Sequence, residues 1–233
     1  MSIAKSASKP AKAKAGSAGR GKAWWGRYTA SLRYAFHVIT HPFDGFWDLI
    51  HEKKGTIAAA NTFLFLFLLT RVLKLMLTSF QFISAPVQHL NIFEEAASLL
   101  LPFLVLCLAN WAMTTLFEGK GRFKDIYMAM CYALVPYTLL ELPMILVSNC
   151  LTFEEGSFYS VLLTFSVVWC VFLVFIGLME IHDYGPGKTF IFLIVTVVGA
   201  AVIIFLLLTF FSLLSDALAY FVSMYREIVF RLN

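Results

Sequence analysis

The stretch TIAAANTFLFLFLLTRVLKLML, residues 56–77, decides the fold class of this chain. Its only charged residues are Arg71 and Lys74. A helix of this length rises about 1.5 Å per residue and can cross about 30 Å of hydrocarbon. Lipid offers no partner for backbone N–H and C=O groups, whereas a helix satisfies its own. The stretch therefore predicts a membrane-spanning helix.

Four more apolar runs follow along the chain. Hydrophobic residues make up 60% of the 233 residues and charged residues 14%, against about 45–50% and about 25% in soluble domains. The predicted spans cover residues 56–82, 96–117, 126–151, 158–181 and 189–214. With short connections between them, they predict an all-α, polytopic bundle of five transmembrane helices over residues 56–214.

The basic residues predict the orientation of the bundle. Of the 18 Lys and Arg residues, 14 lie before the first span, in the loop between the second and third spans, or at Lys188. The other two loops hold none and carry Glu94, Glu95, Glu154 and Glu155. Because Lys and Arg favour the cytosolic side of a membrane, the N-terminus is expected in the cytosol and the C-terminus outside.

The flanking segments complete the predicted organisation. Residues 1–22 are expected to form a disordered basic leader, with nucleic-acid binding disfavoured against a cytosolic tail near anionic lipid. Residues 23–55 are expected to form amphipathic interfacial helices. Residues 215–233 are expected to lie as a helix along the outer interface, and a sixth span is the alternative.

Polar residues inside the spans are candidates for interhelical pairs. An ionisable side chain in lipid costs about 2.5–3.5 kcal/mol or more, so a partner is expected. Arg71 and Glu141 are predicted to lie at equal depth and to form an ion pair, while Lys74 is expected to snorkel toward the outer headgroups. Asn61 and Asn110 are predicted to form an amide pair. A functional polar site around Arg71 and Glu141 is the alternative reading of these charges.

No catalytic, cofactor or metal site is predicted. The four cysteines lie in apolar runs without metal-ligand spacing, and they are expected to be small buried hydrophobes. His41, Asp44, Asp48 and His51 recur at helical spacing, but a solvated or partner-docking face is favoured over a metal site. The sequence holds no nucleophile motif, phosphate loop or nucleotide fingerprint.

Two stretches are similar to a known family. HPFDGFWDLIHEKKG, before the first span, and NWAMTTLFEGKGRFKDIYMAMCYALVPY, from the second span into the third, resemble the Yip (Ypt-interacting protein) domain family, and its bacterial branch in particular. The resemblance covers about residues 36–215. It implies a five-helix domain with a cytosolic N-terminus. It also implies Rab-type GTPase partners for eukaryotic members, and proximity to carbohydrate ABC-transporter components for bacterial ones.

The favoured function is a non-enzymatic membrane scaffold or accessory subunit in the cell membrane, with the ER or Golgi membrane as the alternative. It would present two cytosolic segments, which we call the rim, to a protein partner, while self-association stays open. The rim comprises His41, Pro42, Phe43, Asp44, Gly45, Phe46, Trp47 and Asp48, together with Gly119, Lys120, Gly121 and Arg122. A small transporter component using Arg71 and Glu141 is the alternative function, and an intramembrane enzyme is the least favoured.

Overall fold

The computed structural model of the chain describes residues 17–79, 91–117 and 119–232, and it is all-helical over these residues. Most of the predicted leader therefore lies outside the described residues. The helices, in chain order, are α1 (Ser17–Thr40), α2 (Pro42–His51), α3 (Ile57–Leu77), α4 (Ile92–Leu116), α5 (Phe123–Ala133), α6 (Val135–Val147), α7 (Gly156–His182) and α8 (Pro186–Leu232). A short 3₁₀ turn, Phe153–Glu155, precedes α7.

Five helical stretches are long and apolar enough to cross a membrane, which confirms the predicted fold class. They are α3, α4, α5 with α6, α7, and α8. Large apolar side chains such as Phe65, Val168 and Phe190 are exposed on their outer surfaces. Such side chains suit contact with lipid, because lipid tails are as apolar as the side chains themselves.

A proline inside a span frees backbone carbonyls and predicts a kink, and the third span is broken just before the first of its two prolines. α5 ends at Ala133 and α6 begins at Val135, with Leu134 as the turn residue between them. The break comes just before Pro136, which has no N–H to donate and whose ring crowds the carbonyl four residues earlier. Pro143, by contrast, remains inside α6.

The core of the bundle lies between α2, α3, α5 and α7. Phe46, Ile126, Tyr132, Leu173 and Ile176 are almost fully buried there. α8 packs chiefly on α4, where Gly199 of α8 allows close contact with Met113. α1 packs on α2, and α2 packs chiefly on α7. Phe46 of α2 lies beside Gly177, near the end of α7 that Gly121 also approaches, so the first rim segment lies there.

α8 differs in length from the predicted fifth span. It runs for 47 residues without interruption, so the segment 215–233, predicted as a separate interfacial tail, continues the same helix at least to Leu232. α1 likewise begins at Ser17, before the predicted boundary at residue 23.

Candidate functional site

The structure brings the two rim segments to one end of the bundle. The aromatic ring of Phe46 packs beside Gly177 of α7, where an added Cβ would lie 3.1 Å from the ring. In the second segment, a Cβ on Gly121 would lie 2.5 Å from the His182 ring. Both segments therefore contact the last turns of α7, and they form one continuous surface.

The first rim segment divides into a buried face and an exposed face. Pro42 begins α2, where its missing N–H costs nothing. Gly45 and Phe46 are buried against α1 and α7 and are not available to a partner, which corrects the expectation that the whole segment is presented. His41, Phe43, Asp44 and Trp47 are exposed, while Asp48 is partly buried.

Asp48 links the first rim segment to α1 and to the connection before α3. Its carboxylate accepts a hydrogen bond from Lys54 Nζ at 2.6 Å and one from the Tyr34 hydroxyl at 3.1 Å. The Lys54 ammonium holds the pKa of Asp48 below its ordinary value. Burial, followed by the hydrogen bond to Asp48, raises the pKa of Tyr34. Asp48 therefore has a structural role in addition to its place on the rim.

The second rim segment is held by a chain of hydrogen bonds that the sequence did not reveal. The Gly121 N–H donates to His182 Nδ1 at 3.3 Å, so Nε2 carries the ring proton. Nε2 then donates to Asn110 Oδ1 at 3.1 Å, and Asn110 Nδ2 donates to Thr196 Oγ1 at 3.1 Å. All three side chains are buried. The chain connects the loop to α7, α4 and α8.

The charged residues of the second rim segment have local partners. Lys120 forms an exposed ion pair with Asp183 at 3.0 Å, and Arg122 pairs with Asp125 at 3.1 Å. Gly119 fits tightly, because a Cβ there would lie 2.7 Å from the Thr114 side chain. The two glycines therefore position the loop, while the basic side chains remain accessible.

A buried junction joins α1 to two spans. Ser31 Oγ accepts a hydrogen bond from the Thr56 N–H at 3.0 Å and lies 2.6 Å from the Tyr132 hydroxyl. Tyr132 also donates to the Ser31 carbonyl oxygen at 3.1 Å. Tyr132 belongs to the stretch that resembles the Yip family, but the sequence offered no signal for Ser31.

The structure does not form the predicted Arg71–Glu141 pair. Glu141, which is fully buried, instead lies 2.7 Å from Lys74 Nζ, and Arg71 pairs with Glu95 at 3.0 Å. Lys74 is therefore drawn toward α6 instead of snorkelling to the headgroups as expected. Glu95 lies in the first turn of α4, where the helix dipole favours a carboxylate.

Helix register explains this exchange of partners. The third span begins at Phe123, not near residue 126 as predicted. Glu141 is thus 18 residues into its span, Lys74 is 17 residues after Ile57, and Arg71 is 14. At about 1.5 Å per residue, Glu141 is level with Lys74 and about one turn beyond Arg71.

Asn61 and Asn110 do not pair with each other either. Asn61 Oδ1 accepts a hydrogen bond from the Tyr127 hydroxyl at 2.8 Å. Asn110 belongs to the His182–Thr196 chain described above. Each amide does bond a neighbouring span, but the predicted partner is wrong in both cases.

A cavity of about 870 Å³ lies between α7 and α8 and reaches α3, α4 and the third span. Its lining is mostly apolar. The polar lining residues are Arg71, Asn110, Tyr137 and Thr196, and Glu141 does not line it. Within the described ranges, no group of three or more His, Cys, Asp or Glu side chains could hold a metal ion.

The family assignment follows from the comparison with known families. The Yip1 domain matches residues 36–223, which is most of the chain. The chain belongs to the Yip1 domain family. No curated protein and no solved structure gives a significant match. Yip1 family proteins are membrane proteins that in general are not enzymes and interact with other proteins.

Proposed function

We propose that this Yip1 family protein is a non-enzymatic scaffold or accessory subunit that docks a protein partner on the exposed face of α2. This exposed face consists of Phe43, Asp44, Trp47 and His51. The observation that carries the proposal is that the opposite face of α2 is buried, with Phe46 packed beside Gly177 of α7 and Leu49 fully buried. A rigid helix that exposes large aromatic side chains is already ordered for binding.

The surroundings of Trp47 favour a protein partner over lipid. Its ring stacks on His51 at a centroid distance of 3.7 Å, and Asp44 lies exposed in the turn before it. Aromatic residues amid polar groups are typical of the centres of protein interfaces. Lys120 and Arg122, at the same end of the bundle, are exposed but paired with Asp183 and Asp125, and they add polar groups to the edge of this surface.

The proposal also extends to which protein binds the exposed face of α2. A component of a carbohydrate ABC transporter in the cell membrane is the first partner to test, and only the resemblance to bacterial Yip relatives supports it. An ER or Golgi membrane would apply to a eukaryotic source. The orientation of the rim toward the cytosol is supported by the distribution of Lys and Arg.

The experiment compares two matched aromatic sites in tagged full-length protein expressed in its native membrane. Phe43→Ala with Trp47→Ala removes the exposed aromatics of α2, and Phe158→Ala removes an equally exposed ring at the other end of the bundle. After purification in mild detergent, we expect the partner to be recovered with wild type and Phe158→Ala but lost with the double variant. Equal recovery from all three proteins, each shown to be folded by thermal denaturation, would contradict the proposal.

The cavity suggests a transporter component as the second candidate function. Arg71 and Tyr137 line it within the membrane, where a polar group could meet a ligand. The mostly apolar lining and the pairing of Glu141 with Lys74 make this candidate the weaker one. Cysteines placed at Tyr137 and Val167 should react with a water-soluble maleimide if the cavity conducts a polar solute, and protection at both positions would count against it.

A further inference from the structure

The cavity between α7 and α8 opens sideways, toward lipid. Its described lining residues all belong to the five candidate spans, so the cavity lies at the depth of the hydrocarbon. The lining residues that are exposed belong to α7 and α8 alone: Val167, Val168, Val171 and Phe172 on one side, and Phe190 and Val197 on the other. The open side therefore lies between these two helices. In a membrane it faces acyl chains, which can enter without crossing a polar layer.

The cavity extends along the membrane normal by about the length of one acyl chain. Leu178, four residues before the end of α7, and Phe190, four residues after the start of α8, line it near the rim. Arg71 and Tyr137, each 14 residues into its span, line it near the other end. At about 1.5 Å per residue, the two levels are about 15 Å apart. This is half of the about 30 Å of hydrocarbon, which is the depth that the chains of one leaflet fill.

The polar lining residues differ in what they offer to a ligand. Asn110 and Thr196 are buried and bonded to each other. The Arg71 guanidinium bonds Glu95 through Nε and Nη2. Because Glu95 lies in the first turn of α4, this contact holds the guanidinium near the membrane boundary opposite the rim. Glu95 uses two of its five N–H donors. The Tyr137 hydroxyl lies beside the guanidinium, so this end of the cavity is rich in donors.

The middle of the cavity suits a hydrocarbon chain better than a polar occupant. Between the levels of Thr196 and Arg71, the lining includes the apolar side chains of Phe67, Leu106, Leu134 and Val171. A water molecule in a protein interior needs about two to four polar partners, and apolar cavities stay dry. A polar solute would lose its hydration there in the same way.

We propose that this cavity binds one acyl chain of a phospholipid from the leaflet at the end of the bundle opposite the rim, with the phosphate and ester oxygens of that lipid at Arg71 and Tyr137. These oxygens only accept hydrogen bonds, and a guanidinium is well matched to phosphate. The volume of about 870 Å³ is within the range of about 300–1,000 Å³ typical of ligand sites. The site goes beyond the proposed docking function, which uses the rim, so either can fail without the other.

The headgroup contacts are what distinguish a bound lipid from its neighbours. A chain gains little hydrophobic energy on leaving the bilayer for the cavity, because lipid tails are as apolar as the lining. Hydrogen bonds from Arg71 and Tyr137 supply an interaction that bulk lipid lacks. The test therefore needs one variant that blocks the chain and one that removes a donor.

Photolabelling of the full-length protein tests the position of the chain. The protein is reconstituted in phosphatidylcholine liposomes that contain a phosphatidylglycerol probe with a diazirine at the end of one acyl chain. Peptide mass spectrometry should find the cross-links near Leu178. Val197→Trp fills the cavity, whereas Val198→Trp is the matched control on α8, since the two valines are 56% and 59% exposed but only Val197 lines the cavity. We expect several-fold less labelling of Val197→Trp than of wild type and Val198→Trp.

A second pair of variants tests the headgroup contact. Tyr137→Phe removes the hydroxyl and keeps the ring, which packs against Phe67 at a centroid distance of 5.3 Å. Tyr127→Phe is the control, because its hydroxyl bonds Asn61 on the same span and does not line the cavity. We expect Tyr137→Phe alone to lower labelling by the phosphatidylglycerol probe several-fold. Labelling by a diazirine-bearing alkane without a headgroup should be equal in the two variants.

Three outcomes would overturn the proposal, each in protein shown to be folded by thermal denaturation. Equal labelling of wild type and Val197→Trp would indicate surrounding lipid only. Equal loss of phospholipid and alkane labelling in Tyr137→Phe would show that the headgroup is not recognised. Reaction of Tyr137→Cys and Val167→Cys with a water-soluble maleimide would assign the cavity to a polar solute instead.

Discussion

At the residue scale, the charged side chains inside the bundle form specific ion pairs between neighbouring helices. Lys74 and Glu141 form a buried pair, with the lysine side chain 18% exposed and the glutamate 0%. Arg71 and Glu95 form a more exposed pair at 32% and 24%. A charge left without its partner in such surroundings is far more costly than one at the surface. Among single residues, the choice of ion-pair partner therefore has the largest effect on the stability of the fold.

Removing one member of the Lys74–Glu141 pair should be more harmful than removing both. We expect Glu141→Gln alone and Lys74→Met alone each to lower the free energy of unfolding by about 3–5 kcal/mol, because each leaves a buried charge unpaired. The double variant should recover much of this loss. The measurement is a double-mutant cycle in a lipid bicelle.

The matched comparison is the same cycle with Arg71 in place of Lys74. Its coupling energy with Glu141 should be smaller, since Arg71 pairs with Glu95. A coupling energy with Glu141 that is larger for Arg71 than for Lys74 would show that Glu141 pairs with Arg71, as the sequence predicted.

Asp48 should make the contact between α2 and the α3 connection sensitive to acid. Since its folded pKa lies below the ordinary value, the contact stabilises the fold at neutral pH. That contribution is lost as the pH falls through the folded pKa, where the carboxylate takes up a proton. The difference in thermal midpoint between wild type and Asp48→Asn should therefore be present at pH 7 and shrink below about pH 4.

Asp216→Asn is the control for this pH dependence. Asp216 is exposed on α8, so the variant should follow wild type at every pH. A difference between wild type and Asp48→Asn that stays constant down to pH 3 would exclude the proposed role of the carboxylate.

At the scale of the elements, glycines set how closely the helices approach. A Cβ at Gly45 would lie 2.7 Å from the Val38 Cα, which is backbone and cannot move aside. α1 and α2 therefore cross in direct contact, and that crossing orients the exposed face of α2. Gly26, in α1, has nothing within 4 Å of the corresponding position. Comparing Gly45 with Gly26 therefore separates the effect of close helix packing from the effect of helix propensity.

Gly45→Ala should separate α1 from α2 and lower stability by about 1–3 kcal/mol, the usual cost of overpacking. Gly26→Ala should be neutral or stabilising by up to about 1 kcal/mol, because alanine favours a helix more than glycine does. Unfolding in mild detergent measures both variants. Similar effects of the two changes would show that the crossing does not depend on the missing Cβ.

At the scale of the whole molecule, two packed groups of helices share one membrane. α2, α3 and α5 to α7 form the buried core, whereas α4 and α8 form a pair at its side, and the cavity lies between them. The His182–Asn110–Thr196 chain joins the two groups at the rim end. Five candidate spans are an odd number, so Ser17 and Leu232 are expected on opposite sides of the membrane.

Labelling from one side of the membrane checks this arrangement. The background is Cys150→Ser, which removes the one exposed native thiol among the described residues. In intact cells, a membrane-impermeant maleimide should react with Ser223→Cys and should reach Lys188→Cys only after permeabilisation. The reason is that Ser223 lies beyond the predicted fifth span, toward the end of α8, whereas Lys188 lies at the basic end, which is expected in the cytosol. Protection of Ser223→Cys both before and after permeabilisation would favour the sixth span, which would hold residue 223 inside the lipid.

The sequence by itself determined the class of this protein. Apolar runs long enough to span lipid predict helices wherever they occur, since lipid permits few other backbones. Pro136 likewise indicated the break in the third span, and the rim stretch resembled the family to which the chain belongs. The tertiary structure alone decided the partners. A start three residues earlier moved Glu141 almost one turn along the membrane, from the level of Arg71 to that of Lys74. Side-chain pairing depends on such register and rotation between helices, which periodicity within one helix does not encode.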